Sequence, residues 1–255
     1  MTQRIETISF NINNFNNRKV HMLQKLQEAI DRNEVDRDIL PHLELLNSLP
    51  FCFTTSSCSG RIALIDAPLV GPKYESKKAF RWHSTVDTDE VLKAIDCYSP
   101  SHILWLKFDS FIIAFSVSSI TWAMFFIKLA RYINLKDSGI RSINPRAGYV
   151  NLDFMSTEKI SLPVKTPYGI LINRRDLRGI IDIANFLMLK NRIKLHMLRE
   201  CLSIISERVS NGDLSIPSLQ VFKPIVEKYR NRIYGLRRNE IFKKYDQIAP
   251  SGSGI

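Results

Sequence analysis

Residues 110–127 read SFIIAFSVSSITWAMFFI, without one charged side chain, and the reading of this stretch decides the architecture. Its length is about that of a helix crossing a bilayer. Five Ser or Thr interrupt it, however, and its periodicity changes midway. Phe111, Ile113, Phe115 and Val117 alternate, as on a strand with one buried face. Trp122, Phe125, Phe126, Leu129 and Ile133 instead recur at helical spacing and carry the pattern beyond Lys128. A strand, a cap at Ser118 or Ser119 and then a helix accounts for both halves, and no membrane span is expected.

Working outward, residues 102–108 form a second strand pattern directly before this one. Further upstream, residues 51–55 and 61–66 read as two short strands joined by Ser56-Ser57-Cys58-Ser59-Gly60. A loop opened by Pro68, Gly71 and Pro72 leads to a strand near 80–83. Asp87 and Glu90, three apart, cap a helix through about residue 98. Val20, Leu23, Leu26 and Ile30 give a first helix its apolar stripe, and a second helix spans about 38–48. Downstream, extended pieces fall near 149–154, 160–164 and 169–172. A long helix over 176–209 has Asn173 as its cap and ends at Asn211-Gly212-Asp213, and a basic helix follows over 224–245.

The pattern predicts an α+β protein: a mixed α/β core of short strands and crossing helices, with long C-terminal helices. Outside Gly252-Ser253-Gly254 there is no G-x-G, so neither a Rossmann dinucleotide fingerprint nor a P-loop is present. We expect one domain over 1–210 and a basic helical extension over 211–255.

The chain has 255 residues, 45% hydrophobic and 24% charged, which excludes a disordered or low-complexity protein. Cys52, Cys58, Cys97 and Cys201 have neither the density of a disulfide scaffold nor a C-x-x-C spacing. With no signal-peptide core in residues 1–10, a reduced, cytoplasmic protein is expected. Net charge is +11, and its distribution is uneven. Residues 1–160 carry 19 basic and 17 acidic side chains, whereas residues 161–255 carry 17 and 8. Such polarity suits a polyanionic partner, nucleic acid before an acidic membrane.

The densest group of reactive side chains is TTSSCSGR, residues 54–61. Hydroxyls, a flexible glycine and a guanidinium in one loop can bind an anion or a polar small molecule; a hydroxyl-rich turn around a buried thiol is the alternative. Cys58 with Arg61 three residues on does not match a phosphatase loop, and a structural thiol is favoured over a nucleophile. Trp82-His83 joins a stacking aromatic to a group able to accept or donate a proton, or is a surface pair. Lys107 and Asp109 face a ligand or pair with each other. His21, His42, His102 and His196 lack metal-ligand spacing, and no metal is assigned. In the C-terminal basic helix, Ile225, Tyr229, Ile233 and Leu236 form one apolar side, leaving Arg and Lys to RNA or to solvent.

At residues 54–61 the sequence resembles the wybutosine-synthesis protein 3 family, whose hallmark is a T-[ST]-S-C-[SA]-G-R stretch after an aromatic-rich strand. Further matches follow in order: Arg18-Lys19, Asp36, Asn47, Trp82-His83, residues 107–111 (KFDSF), residues 138–140 (SGI), Ser156-Thr157 and Pro163. Together they cover about residues 15–205. Asp109-Ser110 stand where that family has Glu-Pro, and Ala114 where a His is common.

The resemblance implies a non-Rossmann S-adenosylmethionine-dependent methyltransferase. Its substrate is N4 of the tricyclic wyosine-type guanosine at position 37 of tRNA-Phe, in wybutosine biosynthesis. On that basis His83 is the expected proton acceptor, with Asp66 or Asp109 in reserve, and Trp82 the stacking platform for a splayed base. Ser57, Ser59 and Arg61 are expected to hold the donor's carboxylate or an RNA phosphate, with Ser138, Gly139 and Lys107 near the same cleft. Cys58 becomes a wall or hydrogen-bonding partner of the substrate, and no metal or obligate protein partner is implied. The competing expectation is a tRNA-binding protein of the same fold without catalysis.

Overall fold

The computed structural model describes residues 10–239. In chain order its elements are α1 (Ile12–Asp31), α2 (Leu40–Ser48), β1 (Cys52–Cys58), β2 (Arg61–Ala67), β3 (Lys77–Trp82), α3 (Thr88–Cys97), β4 (Ile103–Asp109), β5 (Ile112–Val117), α4 (Ile120–Tyr132), β6 (Gly139–Asn144), β7 (Tyr149–Met155), β8 (Lys159–Thr166), β9 (Gly169–Ile170), α5 (Arg174–Ser210) and α6 (Lys223–Asn239). The strands make two sheets, ordered β1-β5-β7-β6 and β3-β2-β4-β8-β9, and every pairing is antiparallel. This is the α+β class that the strand and helix patterns predict.

The uncharged stretch resolves as β5, a cap and α4. Ser119 accepts a hydrogen bond from the Trp122 N–H at 3.3 Å and so starts the helix. Among the described residues no helix is long and apolar enough to cross a membrane. The other capping signals also hold. Asp87 accepts from the Glu90 N–H, Asn173 from the Asp176 N–H, and Gly212 adopts φ +83 where α5 stops. The basic helix, expected to residue 245, is α6 up to Asn239, and its last expected residues lie outside the described ones.

The partition of strands differs from the expectation. β1 and β2 are not two strands of one hairpin: β1 continues through Cys58, only Ser59 and Gly60 separate it from β2, and the two enter different sheets. The same holds for β4 and β5, adjacent in sequence. Alternation reports which face of a strand is buried, not which strand lies beside it. Gly60 takes φ +95 at the crossing, a conformation open to glycine. β6 begins at Gly139, in a stretch where the sequence pattern marks no strand.

The described residues pack as two compact units. Of the described residues, the first comprises 10–59, 111–157 and 197–223, and the second 60–110, 158–196 and 224–239. The reason is that each sheet buries its own apolar face.

In the first unit Phe53 of β1 meets Phe15 of α1 with ring centroids 5.2 Å apart, and Phe115, Phe126 and Phe154 form a second buried ring cluster. In the second unit Ile62, Leu64, Leu104, Leu106 and Phe108 project from the sheet onto Val91, Leu92 and Ile95 of α3 and Leu177, Ile181 and Met188 of α5. Lys194 of α5 is fully buried there, its ammonium 2.8 Å from both carboxylate oxygens of Glu158.

The β6–β7 turn is locked to the start of α1. The Asn11 N–H donates to the Pro145 carbonyl at 3.2 Å, and the Asn14 side chain donates to the Arg146 carbonyl at 2.9 Å. Gly148 has φ +84, and a Cβ there would lie 2.0 Å from the Asn11 carbonyl oxygen. Gly148→Ala therefore has to break this lock as well as bear a left-handed conformation costing about 1–2 kcal/mol. We expect a loss of at least ~2 kcal/mol in urea unfolding, with Gly212→Ala, where no atom lies within 4 Å of the added Cβ, losing less.

Candidate functional site

The signature strand β1 is an edge strand, and side chains from the preceding helical segment do part of the work of a missing neighbour. The Asn47 side chain accepts from the Thr54 N–H at 2.8 Å and donates to the Thr54 hydroxyl at 2.9 Å. Directly after Thr54 the ladder with β5 shifts register, so that Thr54 pairs with Phe115 and Ser56 with Ala114. This is a β-bulge, which redirects the residues that follow it. Asp36 then fixes the strand's far end, accepting from both the N–H and the hydroxyl of Ser59 at 2.9 and 3.0 Å. Lys19, its pKa lowered by burial, donates to the Leu49 carbonyl and holds the C-terminus of α2.

Within this unit Thr54, Thr55, Ser56 and Ser57 line a cleft of about 300 Å³, the lower end of the range for small-molecule sites. Its other walls include apolar Met22, Leu26 and Leu43 and the ammonium-bearing Lys25. Apolar walls with a few hydroxyls and one cation suit a small molecule carrying both a ring and an anionic group. Ser59 is fully buried and Cys58 half-buried.

Ser138 and Gly139 serve another purpose. The Ser138 hydroxyl donates to the Met155 carbonyl and accepts from the Met155 N–H, at 3.3 and 3.0 Å, and the Gly139 N–H donates to Asp153. They brace β6 against β7, and β6 lies three strand spacings from β1, about 14 Å. They are not among the residues that line the cleft of the signature hydroxyls.

In the second unit the ladder gathers Arg61, Asp109 and His83 at one end of the sheet. Arg61 is opposite Asp109 with Nε to carboxylate at 3.5 Å, and His83 follows Trp82, the partner of Ile62. The Arg61 Nε is shielded from solvent and has no hydrogen-bond acceptor among the described residues. An added anion would complete it. His83 is half-buried, and the Arg192 guanidinium donates to its carbonyl, fixing the end of β3 to α5. Trp82 stacks on Phe80 at 5.9 Å and donates its indole N–H to Glu90 at 2.8 Å. Lys107 lies one row from Arg61 on the same face, its Nζ 5.9 Å from the centre of the Trp105 ring.

Asp66 does not join this group. It is buried at the opposite end of β2, about 17 Å along the strand from Arg61. Its carboxylate accepts from the Ser101 and His102 N–H groups at 2.7 and 2.9 Å and from the Tyr98 hydroxyl at 3.2 Å. It anchors the turn into β4, so the expectation that it acts in acid–base chemistry loses its geometric basis. Burial, then the charge of Asp66, raises the Tyr98 pKa. The roles of Asp36 and Asn47 as clamps, by contrast, escaped the residue-by-residue reading; a polar residue 7 or 23 positions from its partner has no local signal.

A family model described as Methyltransferase TYW3 matches residues 17–204. A relative from Pyrococcus furiosus, named tRNA(Phe) 7-((3-amino-3-carboxypropyl)-4-demethylwyosine(37)-N(4))-methyltransferase 1, is 36% identical over 185 residues, 72% of this chain and 93% of the relative. A similarly named enzyme from Archaeoglobus fulgidus is 33% identical over 184 residues, 72% of this chain and 91% of the relative. A solved protein structure from Pyrococcus horikoshii superimposes with a TM-score of 0.70 at 33% identity, covering 74% of this chain and 96% of that one.

Asn47→Ala leaves the nearly buried Thr54 N–H without its acceptor, and we expect a loss of about 1–3 kcal/mol in equilibrium unfolding. Thiol reactivity should follow burial, which pushes Cys201 up to about 12 and raises Cys52 as well. Both stay protonated at pH 8, so a thiol reagent acting on native protein should modify exposed Cys97 and spare these two until denaturant is added.

Proposed function

This chain belongs to the TYW3 methyltransferase family, and from that premise we propose that it methylates N4 of the tricyclic wyosine-type guanosine at position 37 of tRNA-Phe, with S-adenosylmethionine as donor. The observation that carries the proposal is the match to relatives named for this reaction along more than nine-tenths of their own length.

S-adenosylmethionine supplies a methyl group on a sulfonium, ready for in-line displacement. The β1 cleft has residues suited to holding it: Met22, Leu26 and Leu43 for its ring and thioether, Ser57 and Lys25 for its carboxylate. Asp36 and Asn47 keep Ser57 and Ser59 in place by fixing the strand on both sides.

On the second unit's sheet, Arg61 offers its uncompleted Nε to an anionic group of the RNA. Trp82 supplies an aromatic face for a base taken out of its stack, a contact worth about 1–3 kcal/mol. His83 receives the proton that N4 gives up as its bond to the methyl carbon forms. Asp109, beside Arg61, orients that guanidinium, and Lys107 adds positive charge one row away. Cys58 contributes a half-buried wall and no bond to substrate. Catalysis on this reading is alignment of donor and acceptor with management of one proton.

The test is nucleoside mass spectrometry of tRNA-Phe from cells lacking this methylation, incubated with pure protein and S-adenosylmethionine. One added methyl on the tricyclic base, absent with an unmodified transcript, is the expected result; no methyl despite tRNA binding would replace the proposal with a binding protein. His83→Ala should lower kcat by about 100-fold or more while donor binding measured by calorimetry is kept, and an unchanged kcat would remove the histidine from the mechanism.

A further inference from the structure

The second unit's sheet has a helix-covered face and an outer face, and the ladder registers sort its residues between them. Ile62, Leu64, Leu104, Leu106 and Phe108 point into the core beneath α3 and α5. Their neighbours in the strands therefore point the other way. Carried across the pairings, the outer face reads as three rows. One is Arg81, Ala63, Lys107 and Ser161; the next is Lys78, Ile65, Trp105 and Pro163; the third is Arg61, Asp109 and Lys159.

Five cations on this face meet one carboxylate, Asp109, and that one lies against Arg61. Lys78, Arg81 and Lys159 are exposed and form no ion pair among the described residues. The helices of the same unit behave differently. Arg174 pairs with Asp96, Arg178 with Asp89, and Lys190 and Lys194 with Glu158. These helix cations are matched with acids, whereas Lys78, Arg81 and Lys159 on the outer face are left to solvent. In the middle of the face Trp105 is half-buried, flanked by Ile65 and Pro163, with its indole N–H given to the Ala67 carbonyl at 3.2 Å.

We propose that this outer face, with Lys78, Arg81, Lys107 and Lys159 around Trp105, is the platform that receives the sugar–phosphate backbone of the RNA substrate. The inference rests on the tRNA reading of the preceding subsection and extends it to a surface. Cations spread over several strands neutralise several phosphates at once, and the flat aromatic at their centre offers a surface for a sugar or base. A recessed tryptophan among lysines, rather than protruding apolar side chains, matches a polyanion with rings better than a lipid surface. The same face carries Arg61 and Asp109 at one end, so an RNA bound along it reaches the guanidinium proposed to hold an anionic group of the substrate.

The test compares full-length protein with the triple variant Lys78→Ala/Arg81→Ala/Lys159→Ala, none of which is part of the proposed catalytic group. Binding of an unmodified tRNA-Phe transcript is measured by fluorescence anisotropy over a range of salt concentrations. The control variant Lys93→Ala/Lys128→Ala/Lys136→Ala removes the same charge from exposed positions elsewhere. We expect the face variant to bind about 10- to 100-fold more weakly, with a salt slope reduced by about 2 to 3, and the control to bind within about twofold of wild type. S-adenosylmethionine binding should be equal in all three proteins.

Wild-type affinity in the face variant, or an equal loss in the control, would overturn the proposal. So would a face variant that loses binding only to phosphatidylserine vesicles and keeps its affinity for tRNA. Methyl transfer by wild type together with normal tRNA binding by the face variant defeats this inference alone. Face-dependent binding without methyl transfer leaves it standing and defeats the catalytic reading.

Discussion

The two hydrogen bonds between the Asn47 side chain and Thr54 are the constraint on which the signature strand depends. They satisfy a backbone donor at the point where β1 slips register against β5, and so let the bulge persist in a nearly buried position. Ser56, Ser57 and Cys58 take their direction from that slip. Asp36 closes the arrangement on the other side by taking both donors of Ser59 immediately before Gly60, whose φ is +95. A loop rich in hydroxyls would otherwise sample many conformations; here two polar side chains from the segment before it reduce them to one. The entropy of ordering those residues is thus met during folding rather than on binding a ligand.

The second unit relies on a different kind of constraint. It buries Lys194, whose ammonium has Glu158 as its counter-charge, with Lys190 on the same carboxylate at 2.6 Å. Withdrawing such a pair from water costs several kcal/mol per ion, which the mutual attraction and good hydrogen-bond geometry roughly offset. Its effect is less on net stability than on registry. Glu158 immediately precedes β8, and a slip of α5 by one residue would carry Lys194 out of reach of it. The pair therefore ties the helix to the strand that completes the face bearing Lys159 and Ser161.

Local chemistry was the legible part of the sequence. The change of period inside residues 110–127 gave β5 and α4, and Asp87, Ser119 and Asn173 marked three helix starts through side-chain bonds to residues only three positions on. What was not legible depended on partners far away in the chain. β1 and β2 look like a hairpin because two short strands flank a Ser-rich, Gly-containing segment, and nothing in their side chains announces that one pairs with β5 and the other with β4. The role of Ser138, a hydroxyl spliced into the ladder at Met155, has no local signal because its partner lies 17 positions on. At the site, the grouping of Arg61 with Asp109 follows from strand register, whereas the burial of Asp66 among the donors of residues 98–102 follows from a turn that periodicity does not describe.

The interleaving of the two units bears on how the chain is made. The N-terminal segment of the first unit, through Ser59, cannot close its core until residues 111–157 and then 197–223 have been added, because Phe115, Phe126 and Phe154 and later Leu198, Leu202 and Phe222 all belong to it. At a ribosomal rate of about 5–20 residues per second, roughly 10–30 s pass between synthesis of the signature strand and arrival of its last packing partners. During that interval β1 is a nascent strand with an open edge and several buried-to-be aromatics nearby. Its serines and threonines, together with the charged α1 upstream, oppose association of that waiting intermediate, so the residues proposed to serve the ligand in the finished protein first serve the nascent chain.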